Sequence, residues 1–156
     1  MDRPHAESAF EYQGTRYQDM DTLTSEHRSR VMSRIRGKDT QPEMVVRKLI
    51  HALGYRFRLH RRDLPGSPDI VLPRLKKAIF VHGCFWHRHA GCKYAYVPKS
   101  NVDFWMKKFD GNVRRDRTST EALKALQWDV LTIWECETKD VQQLASILKR
   151  FLASDQ

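Results

Sequence analysis

Three histidines, two cysteines and two adjacent aromatics crowd into VHGCFWHRHAGC, residues 81–92. Thiolates and imidazoles together can close a tetrahedral metal site, and imidazole alone can move protons near neutral pH. Cys84, His89 and Cys92 lie close enough in the chain to surround one ion, and Cys136 follows a second apolar stretch, TIWE. Four N/S ligands leave no open coordination position, which marks a structural rather than a catalytic zinc. Cys84-x-x-His87 is also a chelating step, so His87 and His89 compete for the ion. If His89 ligates, His87 is freed for chemistry. Such an ion contributes about 10–16 kcal/mol to ordering a loop with little core of its own. The chain has only three cysteines. An odd, small count excludes a disulfide scaffold and suits a reducing, cytoplasmic setting.

A second kind of chemistry needs a hard ligand, and PGSPDIVLP supplies Asp69. Two short apolar runs, DIVLP and KAIFVH, flank a turn near residues 74–76 and read as a hairpin. In an antiparallel pair the start of one strand lies opposite the end of the other, so Asp69 should fall near His82. A carboxylate, a strand-end carbonyl and an imidazole would then meet at one sheet edge. Mg2+ takes oxygen ligands and needs few from the protein when phosphate supplies the rest. His82 or His87 could then deprotonate a water. Asp69 could equally be a cap after Pro68, and His82 a hydrogen-bonded strand end. Glu43 also has a structural explanation, because Thr40-x-x-Glu43 has the spacing of a capping box.

The elements that must carry these groups follow from periodicity. SEHRSRVMSRIRG reads as a short basic helix ending at Gly37. TQPEMVVRKLIHALG is a stronger one, capped by Thr40 and stopped by Gly54, with Val45, Val46, Leu49, Ile50 and Leu53 as its buried stripe. YRFRLH alternates Tyr55, Phe57 and Leu59 against Arg56, Arg58 and His60, the pattern of a strand with one basic face. NVDFWMKKF and VRRDRTSTEALKALQ look helical, DVLTIWE is a buried strand, and TKDVQQLASILKRFL is a closing amphipathic helix. The order predicts an α/β fold, with a mixed sheet and helices packed against it. Residues 1–23 lack periodicity and are expected to form a flexible tail, leaving 24–156 as one domain.

Charge narrows the partner. The chain of 156 residues holds 28 Lys and Arg against 19 Asp and Glu, a net charge of +9. Residues 1–27 are acidic, whereas 28–62 carry eleven basic side chains against only Asp39 and Glu43. A second basic cluster comprises Lys107, Lys108, Arg114, Arg115 and Arg117. Segregated positive charge points to a polyanion, with nucleic acid first, and Arg34, Arg36, Lys38 and Arg115 are candidate phosphate contacts. No apolar run reaches the roughly 18 residues of a membrane span. The start of the chain, with Asp2, Glu7 and Glu11, lacks a signal core and argues against export.

Taken together, DLPGSPDIVLP, AIFVHGCFWHRH, NVRRDR and VLTIWEC resemble the very short patch repair (Vsr) DNA mismatch endonuclease family, from about residue 24 to residue 150. The resemblance implies a restriction-endonuclease-like fold and nicking of one strand 5′ to the thymine of a T:G mismatch in double-stranded DNA. It implies that Asp69 and the backbone carbonyl of Val81 ligate catalytic Mg2+, Val81 standing where some members have threonine. It makes His87 the general base, His82 a second catalytic histidine and Glu43 an assisting acid. It assigns structural Zn2+ to Cys84, His89, Cys92 and Cys136, although the His89–Cys92 step is one residue longer than in some relatives. Phe85 and Trp86 would wedge into a base step, and Met32 would intercalate from the opposite side. No Glu-x-Lys follows Asp69; Phe80-Val81-His82 takes that strand end. A monomer, with mismatch-repair proteins as further partners, fits a single nick at an asymmetric lesion. Two other functions use the same residues: a zinc-stabilised binder of distorted duplex that does not cut, and a related nuclease with another target.

Overall fold

A computed structural model describes residues 11–12, 15–16, 24–34 and 37–154. Within the segment expected to be a tail, β1 (Glu11–Tyr12) pairs antiparallel with β2 (Thr15–Arg16). The main body runs α1 (Ser25–Arg34), α2 (Gln41–Ala52), β3 (Arg58–Leu59), β4 (Ile70–Leu72), β5 (Lys77–His82), α3 (Cys84–His87), α4 (Val102–Ala125), β6 (Asp129–Trp134) and α5 (Val141–Ala153). The sheet order is β3-β4-β5-β6, antiparallel except for the parallel β5/β6 pair. It is the mixed α/β arrangement that the sequence predicts.

Alternation along the strands sends side chains to two cores. Ile70, Leu72, Ile79 and Ile133 face α2 and α5, packing on Val46, Ile50, Leu144, Leu148 and Leu152. Val71, Ala78 and Phe80 face the other way, onto Leu64 and Leu123 of α4. Both faces of the sheet are therefore covered, which is why β4 and β5 read as near-continuous apolar runs. Val46 and Ile50 are fully buried, and burying each contributes about 1.5–3 kcal/mol. The β4–β5 connection turns through Lys76, whose φ of 49° is left-handed. Lys77 is buried, and its Nζ donates to the carbonyls of Phe151 and Ser154, both at 2.6 Å. A strand lysine thus closes the C-terminus of α5, where carbonyl groups favour a cation.

Two elements differ from expectation. YRFRLH forms only a two-residue strand, Arg58–Leu59, which ends where His60 takes a φ of 45°. Tyr55 and Phe57 do pack on the core, but Leu59 is 41% exposed. The two helices read on either side of Gly111 are one 24-residue helix, α4. Trp105, Phe109, Asn112, Asp116, Ser119 and Leu123 recur every three or four residues along it and share one face. Among the described residues, no helix is long and apolar enough to cross a membrane.

Candidate active site and metal centre

The register of the central strands decides what meets. Ile70 pairs with Ile79 and Leu72 with Lys77, so Asp69 arrives one step beyond, beside the end of β5. Its Oδ2 accepts the Val81 N–H at 2.8 Å. Asp69, Val81, His82, His87 and Glu43 all line one cleft of about 1060 Å3, and the hairpin brings Asp69 to the strand end that carries His82. The Val81 contact seen here is through its N–H. Burial pushes the Asp69 carboxyl up to about 6, the Val81 N–H opposing and the neighbouring Glu43 charge reinforcing the rise. Burial therefore disfavours the ionised form of Asp69, against the pull of the His87 and Arg47 neighbours.

His82 and His87 stack with ring centres 3.9 Å apart and planes 10° from parallel. His87 Nδ1 lies 2.6 Å from Asp116 Oδ2, and His82 Nε2 lies 3.9 Å from Asp116 Oδ1. A carboxylate oxygen accepts, so His87 donates from Nδ1 and Nε2 is the ring nitrogen left to face the cleft. Burial, aided by the His87 neighbour, depresses His82 to about 4, so it is neutral at physiological pH. Asp116 does not stand out in the sequence, where it sits inside a basic run, NVRRDR. Its signal is the helical spacing that puts it on the inward face of α4.

Glu43 is 2% exposed and its carboxylate is heavily used. Thr40 accepts the Glu43 N–H, as the capping-box spacing predicts, and donates its hydroxyl to Oε1 at 3.0 Å. Oε2 accepts from the Asp39 N–H at 3.0 Å and from Arg47 at 2.7 Å. Glu43 is therefore both a helix cap and a floor residue of the cleft. Glu135, in the WEC segment, also lines the cleft, with its carboxyl raised by burial.

Behind this cleft, Cys84, His89, Cys92 and Cys136 place one ligand atom each within 4.8 Å of one another. The parallel register explains the meeting. His82 pairs with Trp134, and Cys84 and Cys136 each stand two residues further on. His89 Nδ1 is 3.7 Å from Cys84 Sγ and 3.3 Å from Cys136 Sγ, close to the roughly 3.6 Å edge of a zinc tetrahedron built from ordinary Zn–S and Zn–N bonds. The donor set fits a soft divalent ion, and the four residues could hold one. Burial raises the Cys84 and Cys136 thiols, so a metal ion binding here must displace protons. His89 also stacks on Trp134 at 4.3 Å. Of the two imidazoles weighed for this ion, His89 lies among the three cysteines, while His87 Nδ1 meets Asp116.

The DNA-binding candidates separate. Trp86 and Met32 are half-buried and line the cleft together. Phe85 differs from the expected wedge. It is 3% exposed and packed among Trp105, Phe109 and Tyr96, so in this structure it is a core residue. Arg34, Lys38 and Arg115 are exposed, and Lys38 and Arg115 reach the cleft rim with Lys108 and Arg114. Arg115 also donates to Asn112 Oδ1. Arg36 lies outside the described residues.

Comparison with known proteins matches this sequence to a family. Residues 20–93 match the family model described as DNA mismatch endonuclease Vsr. The type II nicking enzyme V.XorIIP of Xanthomonas oryzae pv. oryzae is 48% identical over 132 residues, covering 85% of this chain and 96% of that protein. V.NmeAIP, a type II nicking enzyme of Neisseria meningitidis, is 42% identical over 77% of this chain and 85% of its own length. The DNA mismatch endonuclease Vsr of Escherichia coli is 39% identical over 75% of this chain and 74% of its own length. The chain belongs to the Vsr family of DNA mismatch endonucleases.

Proposed function

We propose that this protein is a Mg2+-dependent endonuclease that nicks one strand of duplex DNA on the 5′ side of the thymine in a T:G mismatch. The observation that carries this is a single cleft with an acid–imidazole floor, Asp69, His82, His87 and Asp116, beneath a rim of Lys38, Lys108, Arg114 and Arg115. Such a section suits a phosphodiester, anionic at its edge and needing a cation at its centre. The family membership supports the same activity, and the mixed sheet covered on both faces is consistent with a restriction-endonuclease-like fold.

Asp69, with one oxygen fixed by Val81, and the Val81 carbonyl would hold Mg2+; bound there, the ion would supply Lewis acidity at the scissile phosphate. His87, oriented by Asp116, accepts the proton of the attacking water at Nε2. His82, kept neutral by burial, stacks beneath His87 and limits its rotation. Glu43 anchors the start of α2 against the site rather than meeting substrate. Zn2+ held by Cys84, His89, Cys92 and Cys136 would fix the loop that carries Trp86 and His87. Trp86 and Met32 are the apolar groups placed to enter a base step, and a mispaired step is cheaper to open than a paired one. One active site makes one nick, so a monomer suffices; mismatch-repair proteins are natural partners for its product.

A nicking assay on otherwise identical T:G and T:A duplexes tests the proposal. Wild-type protein is expected to nick the T:G strand only when Mg2+ is present, and Asp69→Ala to bind the duplex without nicking it. Nicking by Asp69→Ala would remove the metal assignment. Equal cutting of T:A would favour a nuclease with another target, and binding with no cutting in Mg2+ a pure binder.

A further inference from the structure

The charged network around Asp69 extends to two residues not used above. His60 adopts a left-handed backbone, φ 45°, directly after β3, and its N–H donates to the Asp69 carbonyl at 3.3 Å. A non-glycine residue in that region costs free energy and persists where the surroundings over-determine it. Here the bend turns the imidazole back into the cleft, with its side chain 17% exposed. Nε2 lies 3.1 Å from an Arg47 terminal nitrogen. A guanidinium has donors and no lone pair, so Nε2 must accept and the ring proton must sit on Nδ1. Nδ1 in turn faces Asp69 Oδ1 at 3.8 Å.

Arg47 is itself fixed. It donates to Asp39 at 2.6 Å and to Glu43 at 2.7 Å, with its side chain 10% exposed. Asp39, Glu43 and His60 are close enough together to hold a cation, but the Arg47 guanidinium already supplies positive charge there. Of the carboxylates around His60, Asp69 is therefore the one left to meet a cation.

We propose that Arg47 and His60 are positioning residues for Asp69: Arg47 fixes the His60 ring so that its Nδ1–H edge faces Asp69 Oδ1 across 3.8 Å, an electrostatic contact longer than a hydrogen bond, while Val81 fixes Oδ2. This rests on Asp69 being the cation ligand. A hydrogen bond from Val81 then fixes one oxygen, and the His60 ring edge biases the other before the ion arrives. A neutral donor does this without adding the charge that a protonated imidazole would set against the cation.

Two measurements on the zinc-loaded full chain test it. Long-range 15N–1H NMR of the wild type is expected to show His60 protonated at Nδ1 and bare at Nε2; the reverse tautomer overturns the proposal. Mn2+ binding is then measured by calorimetry. His60→Phe, which keeps a ring but no N–H, should weaken binding by up to about tenfold, the lower end of the cost of losing an outer-shell partner, because this contact is longer than a hydrogen bond. His60→Asn should restore it to within a few-fold, since Asn tolerates the left-handed backbone and carries an amide donor near the Nδ1 position. Wild-type Mn2+ affinity in His60→Phe overturns the proposal. If Asp69→Ala leaves Mn2+ binding unchanged, the metal assignment itself falls, and the tautomer still decides whether the Arg47–His60–Asp69 chain exists.

Discussion

Replacing Asp69 by Asn should stabilise the protein while destroying the site. Burial raises the Asp69 carboxyl from the usual 3.8 to about 6, a difference worth about 3 kcal/mol. Because the folded value is the higher one, the folded state binds more protons between about pH 4 and 6, and stability is lost as pH rises through that window. His82 acts in the opposite sense. Its folded value is depressed from 6.5 to about 4, so its contribution is present above 6.5 and lost as pH falls towards 4. The two slopes oppose each other in the wild type. The asparagine amide keeps an acceptor for the Val81 N–H but has no charge to bury. Thermal unfolding without added Mg2+ should therefore show Asp69→Asn equal to wild type near pH 4 and more stable above pH 6 by up to about 3 kcal/mol, or about 6–12 °C in Tm for a chain of this size. The variant should also gain stability from pH 4 to 6.5, the opposing Asp69 slope having been removed. Adding Mg2+ should raise the Tm of wild type and leave that of Asp69→Asn unchanged. If Asp69→Asn melts no higher than wild type at about pH 8, Asp69 is not a buried charge awaiting a counter-ion, and the electrostatic basis of the site is wrong.

Three further outcomes are expected. Asp116→Asn, which removes the charge behind His87 Nδ1, should lower the nicking rate by about 10²–10⁴-fold with duplex affinity nearly unchanged; a rate within threefold of wild type, roughly, would make Asp116 incidental. Cys136→Ser should lower both bound zinc and Tm, measured by metal analysis and calorimetry, and retention of both would make Cys136 a buried thiol only. Phe85→Ala should cost about 3–5 kcal/mol of stability as a core deletion, whereas Trp86→Ala should leave the fold intact and lose discrimination between T:G and T:A. Equal loss of nicking on both duplexes by Trp86→Ala would exclude wedge selection.

Particular residues show how much of this could be read from the chain. The α2 stripe, its Thr40 cap and the turn at Lys76 are local signals, and each lies where periodicity and turn chemistry place it. The hairpin then brings Asp69 to the end of β5, because strand pairing carries a local turn across to a distant side chain. Asp116 is hidden because Gly111 reads as a break between two helices. In the folded chain nothing within 4 Å constrains Gly111, and α4 continues through it, carrying Asp116 onto the buried face. His60 and Arg47 read as members of a basic strand face and a solvated helix face. Their inward turn depends on one left-handed residue and on the carboxylates of Asp39 and Glu43, which no pattern of apolar residues encodes. Phe85 shows the converse. An FW pair beside a catalytic loop looks exposed for recognition, but the aromatic cluster of Trp105 and Phe109, some twenty residues away, buries Phe85 fully and takes Trp86 only partly.

The central claim is that a hard cation belongs to Asp69 and a separate soft one to the cysteines behind it. Anomalous diffraction from crystals grown with Mn2+ and a T:G duplex, collected at the manganese and zinc edges, tests it directly. Manganese is expected against the Asp69 carboxylate within reach of the phosphate 5′ to the thymine, and zinc within Cys84, His89, Cys92 and Cys136. Manganese bound elsewhere, with Asp69 facing only protein, would contradict it.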